Sequence, residues 1–232
     1  MIESLYAPFQ KWSAKGSVYL ISDTHFGEKH QYGNAYDTIS DDERIEIINA
    51  KVTKNDTLIH LGDVGDISYI PKIKVGHKVL ILGNHDHGAQ YYQMRYSFID
   101  TYETNEEALI AVKNKEINWI TYDYQKPAYM GWKRNNLFDE VYEGPLVISK
   151  KIILSHEPIF IKGMLNIHGH DHSNFANMNK TEPLLGDQIN ICGNLTEFIP
   201  ISLKEIIKSG RLNRFPSIHR IAIDNQKQRT LL

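Results

Sequence analysis

Five short stretches of this 232-residue chain carry side chains of the kinds that bind metals and move protons. They are Asp23-Thr24-His25, Gly62-Asp63, Gly83-Asn84-His85-Asp86, Ser155-His156 and His168-Gly169-His170-Asp171-His172. Their oxygen and nitrogen donors, with no thiolate among them, suit Mn, Fe, Ni or Zn. Each stretch alone is weak. An Asp-x-His or a Gly-Asn-His-Asp is also an ordinary solvated turn, and a lone histidine after a strand is more often a satisfied core or surface residue. Order and placement carry the argument. Every stretch follows directly on a short apolar run, and in α/β sheets ligands bind outside the carboxyl ends of the strands. Five strand ends would deliver Asp, Asn and His side chains to one crevice, with adjacent glycines letting the backbone turn tightly there.

The runs that must position them are Val18–Ile21, Thr57–Leu61, Lys78–Leu82, Leu146–Ile148, Ile152–Leu154, Leu165–Ile167, Gln188–Cys192 and Arg220–Ile223. Their length and β-branched content read as buried strands. Ser40-Asp41-Asp42-Glu43 is a capping box that opens a helix with Ile45, Ile48 and Val52 on one face. Ser202-Leu203-Lys204-Glu205 opens a shorter helix, which Gly210 closes. Strand alternating with helix through Leu82 implies parallel pairing with right-handed crossovers, and Leu146 to Leu154 reads as a hairpin. The expectation is an α/β layered fold with a mixed second half. Residues 89–136 stand apart: rich in aromatics and weak in periodicity, they read as an insertion on a single domain spanning 1–232.

Composition bounds the partners. With 26 Lys+Arg against 28 Asp+Glu the formal net charge is −2, which weighs against polymeric nucleic acid. Hydrophobic residues make up 41%, enough for one sizeable core. The single cysteine, Cys192, excludes an intramolecular disulfide and fits a reducing cytoplasm; it reads as a small buried apolar residue. No apolar leader segment follows Met1, and no run approaches the ~18 apolar residues of a membrane span.

The ordered set Asp-x-His, Gly-Asp, Gly-Asn-His-Asp, His, Gly-His-x-His, spread from Val18 to His172, resembles the calcineurin-like metallophosphoesterases, in particular the small bacterial and phage-type members. The resemblance implies a four-layer α/β/β/α sandwich with mixed sheets and a centre of two divalent metal ions. Carried over position by position, Asp23, His25 and His172 would hold one ion. Asn84, His156 and His170 would hold the other, and Asp63 would bridge them. Two dications against two carboxylates and a bridging hydroxide leave about one positive charge for an anionic phosphate ester, and metals roughly 3.5–4 Å apart activate the bridging water.

His85 is the candidate general acid, since an imidazole carries a transferable proton near neutrality. Asp66, three residues after Asp63, is the first choice to orient it, with Asp86 the alternative; Asp66 could equally be a helix N-cap. Trp132 and Arg134 in the insertion are candidate substrate contacts, a cap for a nucleotide-like phosphate ester. The same aromatics could instead fill a small core or a dimer interface. The Asp-Arg-Gly of protein phosphatases is absent, because Asp66 is followed by Ile67-Ser68. The leading reading is hydrolysis of a phosphodiester or phosphomonoester. Its rivals are a silent scaffold with the same fold and a nuclease.

Overall fold

Alternation along the short strands sorts their side chains into two cores. In the computed structural model, which describes residues 1–28, 38–93, 96–135, 137–173 and 187–214, the first three strands are β1 (Val18–Ile21), β2 (Thr57–His60) and β3 (His77–Ile81). Successive strand side chains point to opposite faces. Val18, Leu20, Ile59, Val79 and Ile81 therefore enter one cluster, while Ile21, Leu58 and Leu80 enter another.

The second cluster is closed by helix α1 (Asp41–Lys51) through Ile45, Ile48 and Val52. Both halves of the expected capping box form: the Ser40 side chain accepts from the Glu43 backbone N–H, and the Glu43 side chain accepts from that of Ser40. A 3₁₀ stretch, Ile67–Lys72, packs beside it with Ile70 buried.

The first cluster is closed by a second sheet. Along the chain follow β4 (Tyr96–Tyr102), β5 (Trp119–Asp123), β6 (Ala128–Arg134), β7 (Glu140–Tyr142), β8 (Leu146–Val147), β9 (Ile152–Leu154), β10 (Leu165–His168), β11 (Asp187–Asn190) and β12 (Ile201–Ser202). The first sheet has the order β12-β1-β2-β3-β7, parallel except for β12; the second has the order β11-β10-β9-β8, parallel except for β8. Ile152, Leu154, Leu165 and Ile167 face Val18, Leu20, Ile59 and Val79 across the interior. The molecule is thus a mixed α/β sandwich. The expected hairpin is β8–β9, and the second short helix is α3 (Leu203–Lys208), with Gly210 at φ +77°. The run Arg220–Ile223 lies outside the described residues. Among the described residues no helix is long and apolar enough to cross a membrane.

Five strands escaped the sequence reading. Two of them, β7 and β12, are only three and two residues long, too short for a periodic signal; the other three lie in the aromatic segment. The aromatic segment forms a third sheet of order β4-β6-β5, all antiparallel, with helix α2 (Asn105–Lys113) against it. Its Thr104–Glu107 capping box was legible by the same rule that found α1. Phe98, Trp119 and Tyr124 are exposed here, so this sheet lacks the clean inside–outside alternation that reveals a strand.

One buried carboxylate ties the parallel edge strand to the N-terminal turn. Glu140 Oε1 accepts from Trp12 Nε1 at 3.1 Å and lies 2.6 Å from His77 Nε2 and 2.9 Å from Lys11 Nζ; Oε2 accepts from the Tyr142 hydroxyl at 2.6 Å. Burial alone would raise this carboxyl, but the Tyr142, Lys11, His77 and Trp12 donors hold it down at about 2. A depressed folded-state value contributes stability that is present above the ordinary carboxyl range and lost as pH falls toward the folded value. Glu140→Gln should therefore lower the melting temperature near pH 7 by roughly 2–6 °C. It should also flatten the acid decline between about pH 5 and pH 2. Calorimetry across that range reads both effects, and a decline of unchanged steepness would assign the acid sensitivity elsewhere.

Candidate metal centre

The loops leaving β1 and β2 are stitched together before any side chain is considered. Asp23 N–H donates to Gly62 O at 2.9 Å, His25 N–H to Asp63 O at 3.1 Å and Phe26 N–H to Val64 O at 3.0 Å. Strand-like pairing thus continues past the strand ends on bent backbone: Asp23, His25 and Asp63 sit at φ +53°, +41° and +57°, and His170 at +65°. Left-handed geometry costs a non-glycine residue on the order of 1–3 kcal/mol and persists only where its surroundings over-determine it. Four of the seven expected ligands are held this way. Gly62, at φ +97°, supplies the turn that none of its neighbours could make as easily. Gly83 admits the close approach of the next loop, since a Cβ there would lie 2.6 Å from Asp63 N.

All seven expected ligands converge. Asp63 Oδ2 stands 3.6 Å from His25 Nε2 and 3.3 Å from His156 Nε2. On one side Asp23 Oδ1 lies 4.0 Å from His25 Nε2 and 3.5 Å from His172 Nε2. On the other, Asn84 Oδ1 lies 2.9 Å from both His156 Nε2 and His170 Nδ1, which are 3.2 Å apart. Ligand atoms sharing an ion at about 2.1 Å stand ~3.0–3.4 Å apart when adjacent and ~4.2 Å apart across it. The spacings around Asp23 and Asp63 fall between those limits, and the two from Asn84, at 2.9 Å, lie just below them.

The remaining ring nitrogens of His156, His25 and His172 are committed elsewhere, which fixes what faces inward. His156 Nδ1 is 2.8 Å from Leu61 O and can only donate there, so in the neutral ring Nε2 turns a lone pair toward Asn84 Oδ1 and His170 Nδ1. Converging acceptors repel unless a cation or a proton sits among them. His25 Nδ1 lies 2.8 Å from Glu28 Oε2, and His172 Nδ1 lies 3.4 Å from Cys192 Sγ. Such outer partners orient metal-binding imidazoles. Glu28, three residues after His25, was missed in the sequence; the Asp-x-His-x-x-Glu spacing was its signal. Cys192 is buried as expected, but it abuts a ligand rather than filling an apolar gap.

Electrostatics follow the packing. Burial lowers His25 to about 4 against the charge of Asp63, keeping it in the neutral form a metal requires. Asp63, which burial alone would raise, is drawn down to about 2 by its hydrogen bond and charge interaction with His156. His156 is raised in turn: burial opposes its charge, but Asp63 and Asp23 outweigh burial. Burial raises Asp23 above its ordinary range.

The two acidic candidates near His85 have other partners. Asp66 Oδ1 accepts from Ser68 N–H at 2.8 Å and caps the 3₁₀ stretch. Asp86 Oδ2 accepts from Asp63 N–H at 2.9 Å and Gly83 N–H at 2.8 Å, and Oδ1 accepts from Val64 N–H and the Tyr92 hydroxyl, both at 3.0 Å. It ties the Asp63 loop to the Gly83 loop. His85 donates its backbone N–H to Asp63 Oδ1 at 3.0 Å, and its exposed ring stands edge-on to His25, centroids 5.8 Å apart. Glu28 is a carboxylate close enough to feel its charge.

Trp132 and Arg134 are not brought to this cluster. Trp132 donates to Thr121 Oγ1 at 2.8 Å within the third sheet and meets Phe98 edge-on. Arg134 pairs with Asp139 at 3.2 Å, and Asp139 in turn accepts from Lys78 N–H near the start of β3, whereas Asn84 lies past that strand's end. Three histidines outside the seven expected ligands also have structural partners. His60 is buried between Thr24 Oγ1 and Gly62 N–H, His77 pairs with Glu140, and His168 is buried beside Gly169 O. His30 and His219 lie outside the described residues.

If Glu28 orients His25, Glu28→Ala should weaken metal binding about 10–100-fold, the usual worth of an outer partner. Competition against a fluorescent chelator measures it, and Glu28→Gln should recover part of the loss. Unchanged affinity in both variants would show the contact to be incidental.

No protein of curated description matches the chain. A solved structure of a protein of unknown function, AQ665 from Aquifex aeolicus, is similar at 22% identity and a TM-score of 0.49, covering 83% of this chain and 98% of that one. Residues 16–193, which hold every one of the seven converging side chains, match the calcineurin-like phosphoesterases. The chain belongs to the calcineurin-like phosphoesterase family.

Proposed function

We propose that this protein is a phosphoesterase that uses two divalent metal ions to hydrolyse a phosphodiester or phosphomonoester. The observation that carries the reading is the convergence of oxygen and nitrogen lone pairs, from loops of both sheets, around the Asp63 carboxylate. Asp23, His25 and His172 would hold one ion, Asn84, His156 and His170 the other, with Asp63 shared. When bound, such a pair supplies a water of lowered pKa and positive charge for the phosphoryl oxygens.

The rest falls to the chain. Its preformed loops carry the strain that keeps the donors in place before substrate arrives. The exposed His85 ring stands at the rim beside His25, where it can hand a proton to the leaving oxygen. Glu28 faces both rings and is the carboxylate best placed to steady them. Retention of all seven donors and of His85 favours an enzyme over a silent scaffold, and the near-neutral charge favours a small ester over a nucleic-acid polymer.

Metal analysis of protein prepared without chelator should approach two transition-metal ions per chain, and Asp63→Asn should lose both sites together. Loss of a single ion with the other kept would refute the shared role. His85→Ala should retain metal but slow Mn²⁺-supported hydrolysis of a poor-leaving-group ester about 10²–10⁴-fold. The effect should be much smaller on bis(p-nitrophenyl) phosphate, whose nitrophenolate needs no proton. Equal losses on both esters would recast His85 as a binding residue.

A further inference from the structure

A cavity of about 470 Å³ opens directly off the second half of the centre, and Asn84 and His156 form its inner wall. That volume suits the organic part of a small phosphate ester. Its floor is apolar, from Ile81, Leu82 and Ile159, and Glu143 and Glu157 stand on its walls. Among the described residues no lysine or arginine lines it. Asp86 also reaches it, but its two oxygens are taken up by three backbone N–H groups and the Tyr92 hydroxyl. Glu143 and Glu157 differ from it. Both are exposed, and neither side chain takes a hydrogen bond or an ion pair from another described residue.

We infer that this cavity receives the organic group esterified to the phosphate, and that Glu143 and Glu157 select groups that carry hydrogen-bond donors and no negative charge, an amino alcohol or a vicinal diol. The inference rests on the phosphoesterase reading for the placement of the phosphate. The cavity supplies the site, and the carboxylates supply its sign. A phosphate seated on the Asn84 and His156 side leaves its ester chain only a few bonds from those walls. There an ammonium gains charge-assisted hydrogen bonds, and a diol can donate to a carboxylate as ribose hydroxyls do in dinucleotide sites. A second carboxylate or phosphate on the substrate would face like charge with no lysine or arginine among the described lining residues to meet it and, outside the centre, only the His87 imidazole, a juxtaposition that suppresses wrong partners. Polyphosphorylated compounds are thereby disfavoured, which a cavity shaped only by size would not do.

Phosphonates test this without turnover, since their C–P bond is not an ester. Calorimetric titration of the Mn²⁺-loaded protein would compare 2-aminoethylphosphonate, 2,3-dihydroxypropylphosphonate and 2-carboxyethylphosphonate. The first two should bind at least ~10-fold more tightly than the third, a gap of about 1.4 kcal/mol. Which of the two leads separates an amine from a diol as the natural group. In Glu143→Gln/Glu157→Gln protein the advantage over the carboxyethyl compound should fall to within about twofold. Equal binding of all three by the parent protein, or a preference that survives the double substitution, would overturn the assignment. A protein that shows the preference yet never hydrolyses either bis(p-nitrophenyl) phosphate or p-nitrophenyl phosphate would leave the cavity assignment standing and refute the phosphoesterase reading alone.

Discussion

One carboxylate must reach two sets of donors, and much of the architecture around the centre serves that reach. Asp63 leaves a strand of the first sheet, yet its Oδ2 stands within 3.6 Å of a histidine from the β1 loop and 3.3 Å of one that follows β9 in the second sheet. That position is attainable only if the two sheets present their strand ends in the same direction and at one height. The shared apolar interior sets that height. Leu61 and Ile59 pack against Leu154 and Ile167 in one cluster, and Leu61 O also receives the His156 ring. Hydrophobic burial and the His156 tautomer are therefore set by the same residues.

The donor set was legible because ligand chemistry is written in side-chain types at strand ends, and strand ends are marked by where β-branched runs stop. Val18–Ile21 and Ile152–Leu154 match the strands residue for residue, β2 and β10 differ by one residue at an end, and β3 by one residue at each end. Roles decided by backbone geometry were only partly legible. Asp66 was the first choice as partner for His85, with an N-cap as its equal reading, and it caps a turn; Asp86, the alternative, ties the Asp63 loop to the Gly83 loop. Nothing in residue type separates an acid that meets backbone N–H groups from one that meets an imidazole. Glu28 shows the converse, a partner hidden only because its spacing was not sought.

The third sheet was opaque for a different reason. Strand recognition relies on one face being buried, and here Phe98, Trp119 and Tyr122 remain exposed on a three-stranded sheet. Tyr102, Tyr129 and Trp132 supply cross-strand contacts that hold the sheet from within. Aromatics in such a segment say little about ligands. The Arg134–Asp139 pair likewise anchors the return of the segment to the first sheet rather than reaching toward a phosphate.

The fastening at the other root of that segment has a mechanical meaning. Tyr92, in the single helical turn Ala89–Tyr92, donates its hydroxyl to Asp86 while the same oxygen accepts from His87 N–H, and its ring packs on Phe138 where the chain re-enters the first sheet. Entry and exit of the excursion are thus pinned to one another and, through a single phenol oxygen, to the carboxylate that gathers the Asp63 and Gly83 loops. A torque applied to the aromatic sheet, by a partner or by a change in its length, would be delivered to the Asn84–His85 turn before any other part of the centre felt it. The excursion is in effect a lever whose fulcrum is Tyr92 and whose short arm is the loop that carries His85.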